Sequence, residues 1–434
     1  MPNERPAHVP LFPILAVNFI GTLGFSLVLP FLVFLVTDWG GNAFIYGLTG
    51  ATYSAFQLVG APILGRWSDR VGRRRVLLLS QAGTLVSWLV FLAAFALPRT
   101  SLFVADSSLT GSFVLTLPLV VLLFARALDG LTGGNVSVAN AYLADISDDS
   151  TRSANFGKMA VSGNLGFVLG PAIAGVLGAT VLGALTPVVA AAVISLAATL
   201  TIVFKLPESQ PCALGGSPET GTVRKFFGQE QRDCFEVKGA PTLTMKSAFT
   251  LAGVPSVLTV YFLVMLAFNF FYVTFPVFAI EALEWSLPEI GVFFTVMGLA
   301  MVLVQGQFLG WVSRYVDEKP LILAGSVVLA ASFWLFDSRS NTAIYAAVAL
   351  MALGNGVMWP SVMSVLSKLA GQTYQGAVQG FAGSLGAVAS IVGLVLGGAL
   401  YASFGARVFW ASAVVILIAA LTGLTVATPA AEDA

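Results

Sequence analysis

Charged residues are scarce in this sequence: Asp, Glu, Lys and Arg make up only 10% of its 434 residues, whereas hydrophobic types make up 57%. A soluble protein carries about a quarter of its residues as charged types. There is too little polar material here to cover a water-facing globule, so the composition predicts a protein whose apolar surface faces the lipid bilayer. The formal net charge is zero, which gives no reason to expect nucleic acid as a partner.

Residues for metal, thiol and nucleotide chemistry are equally few. The sequence has two cysteines, Cys212 and Cys234, and a single distant histidine, His8. Neither a zinc site nor a disulfide framework is expected from these. The absence of a Gly-x-x-x-x-Gly-Lys-Ser/Thr loop argues against a nucleotide-driven pump, and no nucleophile–histidine pair occurs. The sequence therefore predicts no cofactor, no metal and no enzymatic activity.

Long apolar windows are what the sequence has in abundance. A helix needs about 20 apolar residues to cross a bilayer core, and backbone groups cannot stay unpaired in lipid, so such windows predict helices. We therefore expect an all-α membrane protein with about 12 transmembrane helices. The windows are 11–36, 43–65, 75–97, 113–143, 155–180, 184–205, 253–280, 288–312, 319–337, 342–367, 374–402 and 404–427.

Lysines and arginines set the predicted orientation, because they concentrate in cytoplasmic loops. Of the 21 in the chain, 17 fall on one side of the predicted spans, three on the other and one, Arg126, inside a span. This asymmetry predicts a multi-pass protein of the cell (plasma or inner) membrane with both termini in the cytoplasm. The same side holds residues 207–248, which are rich in Pro, Gly and charge and are typical of a linker.

Glycines recur at a constant distance in the predicted fifth and eleventh spans. The four pairs are each 223 residues apart: Gly157 and Gly380, Gly163 and Gly386, Gly170 and Gly393, and Gly175 and Gly398. Such repeats are typical of transporters that rock one half against the other. The sequence thus predicts two pseudo-symmetric six-helix bundles, residues 1–206 and 249–434, joined by the linker.

Two short motifs have spacings that suggest function. In the loop after the second span, Gly65 is expected to let its helix approach a neighbour closely, and Asp69 to meet a helix N-terminus or an arginine. The alternative is a plain positively charged cytoplasmic loop. In the fifth span, small residues lie four apart and Pro171 favours a bend. The predicted conformational motif comprises Gly65, Asp69, Arg70, Gly72, Arg73, Gly163, Gly170, Pro171 and Gly175.

These stretches, with Arg126–Gly134 in span four and Tyr142–Ile146 after it, resemble the motifs of the major facilitator superfamily. The sequence is most similar to the tetracycline/proton antiporter branch of that superfamily. The resemblance implies export driven by proton exchange. Two departures put both tetracycline and the branch's usual proton site in doubt: Asn18 and Ser87 stand where the branch has aspartates.

Ionisable groups in mid-membrane cost about 2.5–3.5 kcal/mol each and usually mark function. Here the clear cases are Arg126 and Asp129, three apart on one helix face. One hypothesis makes Asp129 a proton-coupling carboxylate modulated by Arg126, since desolvation favours its neutral form and the arginine its ionised form. The other makes the two residues a permanent ion pair that only orders its helix.

Polar residues within the apolar spans are candidates for a substrate cavity. On helices one, four, seven and ten, which the resemblance predicts to line it, they are Asn18, Asp129, Asn269 and Asn355, and further candidates are Tyr53, Gln57, Tyr272, Gln305 and Trp359. Each could instead make a helix–helix hydrogen bond. We expect a monomeric secondary transporter that exports a small amphipathic molecule or drug in exchange for protons. The alternatives are a uniporter or symporter of a sugar or other metabolite, and a non-transporting receptor or assembly factor.

Overall fold

The computed structural model describes residues 10–133, 135–147, 149–209 and 251–426, and most of these residues are helical. The elements are α1 (Phe12–Asp38), α2 (Ala43–Val71), α3 (Arg73–Ala94), β1 (Ser101–Ser107), β2 (Gly111–Thr116), α4 (Leu117–Thr132), α5 (Asn135–Asp145), α6 (Asp149–Gly178), α7 (Leu185–Lys205), α8 (Val254–Glu281), α9 (Leu287–Leu303), α10 (Leu309–Val312), α11 (Glu318–Leu335), α12 (Asn341–Phe404) and α13 (Val408–Gly423). A π-helical turn, Val304–Phe308, joins α9 to α10. His8, Cys212, Cys234 and nearly all of the predicted linker lie outside the described residues.

Within the described residues, nine helices are long and apolar enough to cross a membrane, or ten if the bent α1 is one span. Helix α1 bends by 42° between Val28 and Phe31, where Pro30 removes a backbone donor. Helix α2 is not among these nine. Residues 378–423, which hold two of the predicted spans, are one of the nine. The predicted all-α membrane fold of about 12 helices is confirmed.

Two predicted span boundaries are wrong. The window 113–143 begins in a strand, because residues 101–116 form an antiparallel hairpin that pairs Val104 with Val114 and closes at Gly111. Gly111 has φ +70°, a conformation that glycine adopts without strain. The windows 342–367 and 374–402 are one continuous helix, α12. No proline follows Pro360 before its end, so nothing there removes a backbone hydrogen bond.

The chain divides into two compact units. The first comprises Met1–Phe31, Ala55–Pro98 and Val120–Ala240, and the second Leu32–Ser54, Arg99–Leu119 and Pro241–Ala434. In the first unit, aliphatic side chains of α2, α3, α5 and α7 pack around the buried Tyr142. Its hydroxyl donates a hydrogen bond to the Pro207 carbonyl (2.9 Å), which satisfies the polar end of a buried ring.

The second unit has an aromatic core. Phe275 of α8 stacks on Phe293 of α9 with ring centroids 3.9 Å apart, and Phe271 lies 4.9 Å from Phe336. Phe409 of α13 packs edge-on against Phe278 at 5.5 Å. Such pairs add about 0.5–1.5 kcal/mol each beyond area burial. The many phenylalanines here stabilise helix packing.

Candidate functional site

Helix α4 carries the buried charge pair near the middle of the apolar stretch Leu117–Asp145. The guanidinium Nη1 of Arg126 lies 3.0 Å from Oδ2 of Asp129, and both side chains are buried. Their spacing of three residues puts both on one face of the helix. The Thr84 side chain of α3 lies beside the Asp129 carboxylate. The site therefore joins a carboxylate, its counter-ion and a hydroxyl in a water-poor environment.

The end of α4 lies in close contact with α2 and α3. A Cβ at Gly60 would lie 2.1 Å from the Leu131 carbonyl oxygen, and one at Gly83 would lie 2.3 Å from Thr132 Cγ2. The Ser80 hydroxyl donates to the Thr132 carbonyl, and Gln57 Nε2 donates to the Gly133 carbonyl at 3.4 Å. Close contacts on two sides, at Leu131 with α2 and at Thr132 with α3, fix the position of α4 along its axis and thus the depth of its charge pair.

Helix α6 packs against α1 through its glycine row. A Cβ at Gly170 would lie 1.9 Å from Ser26 Oγ, and one at Gly166 would lie 2.7 Å from the Phe19 carbonyl oxygen. Asn18 lies at this contact, where its Nδ2 donates to Ser162 Oγ (2.8 Å) and the Met159 carbonyl (3.0 Å). Gly175 is buried further along, and α6 continues through Pro171. Asn18 thus makes a helix–helix hydrogen bond.

The same packing recurs in the second unit between α8 and α12. A Cβ at Gly393 would lie 2.7 Å from Asn269 Cβ, and one at Gly386 would lie 3.0 Å from the Tyr261 hydroxyl. These glycines are the counterparts of Gly170 and Gly163. Their contacts also correspond, because 243 residues separate Ser26 from Asn269 and Asn18 from Tyr261. The repeat in sequence is therefore also a repeat in helix packing.

The remaining cavity candidates occupy different environments. Asn269 Nδ2 donates to Ser390 Oγ (3.1 Å) and the Met265 carbonyl (2.7 Å), and Tyr272 stacks on Phe294 with centroids 6.2 Å apart. Gln305 is half-buried in the π-helical turn, and Tyr53 is half-buried on α2. Asn355 Nδ2 lies 3.9 Å from Met301 Sδ, and Trp359 packs on Tyr261 at 5.0 Å.

The loop expected after the second span is mostly helical, since only Gly72 separates α2 from α3, and Arg73 organises this junction. Its guanidinium contacts Asp69 Oδ1 (2.5 Å), Asp145 Oδ2 (2.9 Å) and Ser68 Oγ (2.6 Å), and its side chain is buried. Asp69 therefore meets an arginine, one of its two expected partners. Arg70 is exposed. Asp145, the last residue of α5, forms an ion pair with Arg73.

Sequence reasoning missed Glu208, just after α7. Its carboxylate accepts hydrogen bonds from the backbone N–H groups of Arg73 (2.8 Å) and Arg74 (3.2 Å), so it caps α3. Gly72 makes room for it: its φ is +101°, and a Cβ there would lie 2.6 Å from Glu208 Oε2. The Leu-Pro-Glu-Ser sequence after a long helix offered only a weak signal for this contact.

The close approach expected at Gly65 is not found among the described residues. Of their atoms, a Cβ there would meet none nearer than Ser137 Oγ at 3.8 Å, which is an ordinary van der Waals contact. Five residues earlier, Gly60 makes the backbone contact of α2 described above. The reason is geometric: Gly60 lies where α2 crosses the end of α4, whereas Gly65 lies beyond the crossing. Among the described residues no cluster of His, Cys, Asp or Glu could hold a metal ion.

Together, the apolar helices, the buried charge pair and the repeated packing define a multi-pass helical membrane transporter. The family model of the Major Facilitator Superfamily matches residues 14–304 and 257–433, and the chain belongs to this superfamily. Its members are transporters of small molecules and are not enzymes. The resemblance inferred from the motifs is thereby confirmed.

Individual relatives agree with this assignment. The chain is 28% identical over 397 residues to the class C tetracycline resistance protein of Escherichia coli, covering 91% of this chain and 90% of that one. It is 25% identical to the bovine (Bos taurus) major facilitator superfamily domain-containing protein 10, covering 99% and 96%. Among solved structures, a bacterial homolog of the human lysosomal transporter Spinster superposes with TM-score 0.68 at 12% identity, covering 97% of this chain and 98% of that one. That likeness shows the fold alone.

Proposed function

We propose that this protein exports a small amphipathic organic molecule in exchange for protons, by alternating access of two six-helix bundles joined by the linker 207–248. The observation that carries the proposal is the buried pair of Arg126 and Asp129. A carrier driven by protons needs a group that gains and loses a proton as its surroundings change. Similarity to tetracycline resistance proteins over nine tenths of the chain supports the direction of transport.

Asp129 is the proposed proton carrier. When its carboxylate is ionised, the contact with Arg126 compensates its charge. When it binds a proton, the ion pair is broken while Arg126 keeps its charge. Breaking a buried ion pair by neutralising one member costs about 3–5 kcal/mol. Protonation at this site is therefore expected to favour a different helix arrangement, and this links proton binding to movement.

The substrate is proposed to differ from tetracycline. Asn18 and Ser87 stand where the tetracycline/proton antiporter branch has two aspartates. In the structure Asn18 Nδ2 donates to Ser162 Oγ, and the Ser87 hydroxyl donates to the Gly83 carbonyl (2.9 Å). Neither side chain is an acid, so neither takes the place of the missing carboxylates. Asn18, Tyr53, Gln57, Asn269, Tyr272, Gln305, Asn355 and Trp359 remain the proposed substrate contacts. The loss of two acids favours an uncharged or weakly charged substrate, and it also gives some weight to a uniporter or symporter of a neutral metabolite.

We further propose that the protein is a monomer in the cell (plasma or inner) membrane with both termini in the cytoplasm. The excess of lysine and arginine on one side of the spans supports this orientation. A membrane-impermeant thiol reagent should then label Cys212 and Cys234 only from the cytoplasmic side. Labelling of intact cells from outside would reverse the assigned orientation.

The test of the proposed function is an efflux measurement in cells with and without the protein. Cells are loaded with amphipathic compounds, tetracycline among them, and retention is followed before and after a protonophore collapses the proton gradient. The proposal expects lower retention of at least one compound, restored by the protonophore. Downhill flux that ignores the protonophore would favour the uniporter, and no flux for compounds or metabolites would favour the non-transporting receptor.

A further inference from the structure

The hairpin of β1 and β2 is bonded to helix ends from distant parts of the chain. On one side it contacts the connection between α1 and α2. The Val114 N–H donates to the Gly40 carbonyl (2.8 Å), and the Thr116 hydroxyl donates to the Trp39 carbonyl (2.8 Å). Asn42 Nδ2 donates to the Thr110 carbonyl (2.7 Å). The turn of the hairpin is therefore held at the start of α2.

On its other side the hairpin meets the end of α12. The Ser403 hydroxyl lies 2.8 Å from the Ser108 carbonyl oxygen, 3.2 Å from that of Ala399 in its own helix and 3.5 Å from that of Leu109. A Cβ at Gly111 would lie 3.3 Å from Ala402 Cβ. The hairpin thus bonds to residues near 40 and near 403 at the same time.

Beneath the hairpin, α2 and α12 touch through their backbones. A Cβ at Gly47 would lie 2.1 Å from the Leu394 carbonyl oxygen, and one at Gly398 would lie 2.5 Å from the Ala43 carbonyl oxygen. Such a contact has two well-defined arrangements, packed or separated, because there is no flexible side chain to fill a partial gap. Any motion that parts α2 from α12 must also break the hydrogen bonds of the hairpin to one of them.

We propose that residues 101–116 act as a latch that holds the start of α2 against the end of α12, with Asn42 and Ser403 as its positioning residues. The inference rests on the alternating access proposed above, in which the two bundles separate at one face and then at the other. The latch adds stability only to the state in which α2 and α12 are in contact. It therefore sets how often this end of the protein opens.

The test measures a distance between α1 and α12 in the full chain. Both cysteines are changed to serine, and spin labels are placed at the exposed positions Thr37 and Phe404. Double electron–electron resonance in lipid nanodiscs then gives the distribution of label distances. Asn42→Asp removes the donor to the hairpin but keeps Oδ1, which accepts from the Ile45 N–H at the start of α2 (3.2 Å). Ser403→Ala removes the second bond.

Ser403→Ala should raise the population at longer distances roughly fivefold, as expected for the loss of one hydrogen bond. Asn42→Asp should raise it at least as much, because Asn42 Nδ2 donates both to the Thr110 carbonyl and to the Ser112 carbonyl (3.2 Å). Ser403→Thr, which keeps a hydroxyl, should stay like the parent. Ser384→Ala is the matched control, because its hydroxyl donates to Gly380 within α12 (3.1 Å). A parent-like distribution in both Asn42→Asp and Ser403→Ala overturns the latch. The readout is separate from transport, so a protein without efflux can still show the latch, and an exporter can lack it.

Discussion

Two glycines on one helix give the sharpest test of the packing around the charge pair. At Gly60 a Cβ would lie 2.1 Å from the Leu131 carbonyl oxygen, whereas carbon and oxygen normally stay about 3.3–3.6 Å apart. Gly60→Ala must therefore push α2 and α4 apart by about 1 Å. Because both partners at this contact are backbone, no side-chain rotation can relieve it. At Gly65 the nearest atom of a described residue would be 3.8 Å away, so Gly65→Ala is expected to need no movement.

The expected free energies of unfolding follow from these distances. Overpacking costs about 1–3 kcal/mol, and alanine stabilises a helix by about 0.5–1 kcal/mol relative to glycine. Gly60→Ala should therefore lose up to about 2.5 kcal/mol, while Gly65→Ala should be neutral or gain up to about 1 kcal/mol. Unfolding of the purified protein in mixed micelles, titrated with a denaturing detergent, measures both. Equal stabilities of the two variants would refute the assignment of the α2–α4 contact to Gly60.

Three further predictions concern the junction between α2 and α3. Gly72→Ala should lower the free energy of unfolding by about 1–3 kcal/mol, because φ is +101° and Glu208 fills the space. Thermal unfolding measures this loss, and the control Gly157→Ala should show none, because a Cβ there meets no atom of a described residue within 4 Å. Glu208→Gln keeps the shape but weakens the charge-assisted bonds to Arg73 and Arg74, so insertion should be normal and the initial efflux rate lower; an unchanged rate would make this cap incidental. Asp69→Asn should change stability by less than about 1 kcal/mol, since its carboxylate is half-exposed, yet slow efflux; unchanged efflux kinetics would reduce the loop to a determinant of orientation.

The sequence was informative wherever a long-range pattern mattered. Apolar windows located the helices because each span must satisfy its own backbone in lipid. The constant offset of the glycines predicted related halves, and the contacts of Gly170 and Gly393 repeat accordingly. The charge pair was identified because ionisable residues are rare in an apolar stretch. Its distance of 3.0 Å follows from the helical spacing of three residues.

The sequence was weak where a contact depends on how two elements cross. Gly60 and Gly65 are alike in sequence, and only the crossing with α4 distinguishes them. The hairpin was missed because the alternating residues of β2 run directly into the apolar start of α4. Glu208 was missed because its partners are backbone groups, which leave no mark in the sequence. Whether Asn18 and the other polar residues also contact substrate stays a prediction.

The measurement that tests the central claim most directly compares Asp129→Asn with the unaltered protein in everted membrane vesicles. An exported compound should accumulate against its gradient with the unaltered protein, whereas Asp129→Asn should retain downhill exchange alone. Asp38→Asn, which breaks an exposed pair with Arg99 (2.6 Å), is the matched control and should accumulate normally. Asp129→Asn removes the carboxylate that pairs with Arg126. The double variant Asp129→Asn with Arg126→Gln removes both charges of the pair, so it checks that loss of coupling does not result from loss of folding. Accumulation against the gradient by Asp129→Asn would contradict the account and make the buried pair structural.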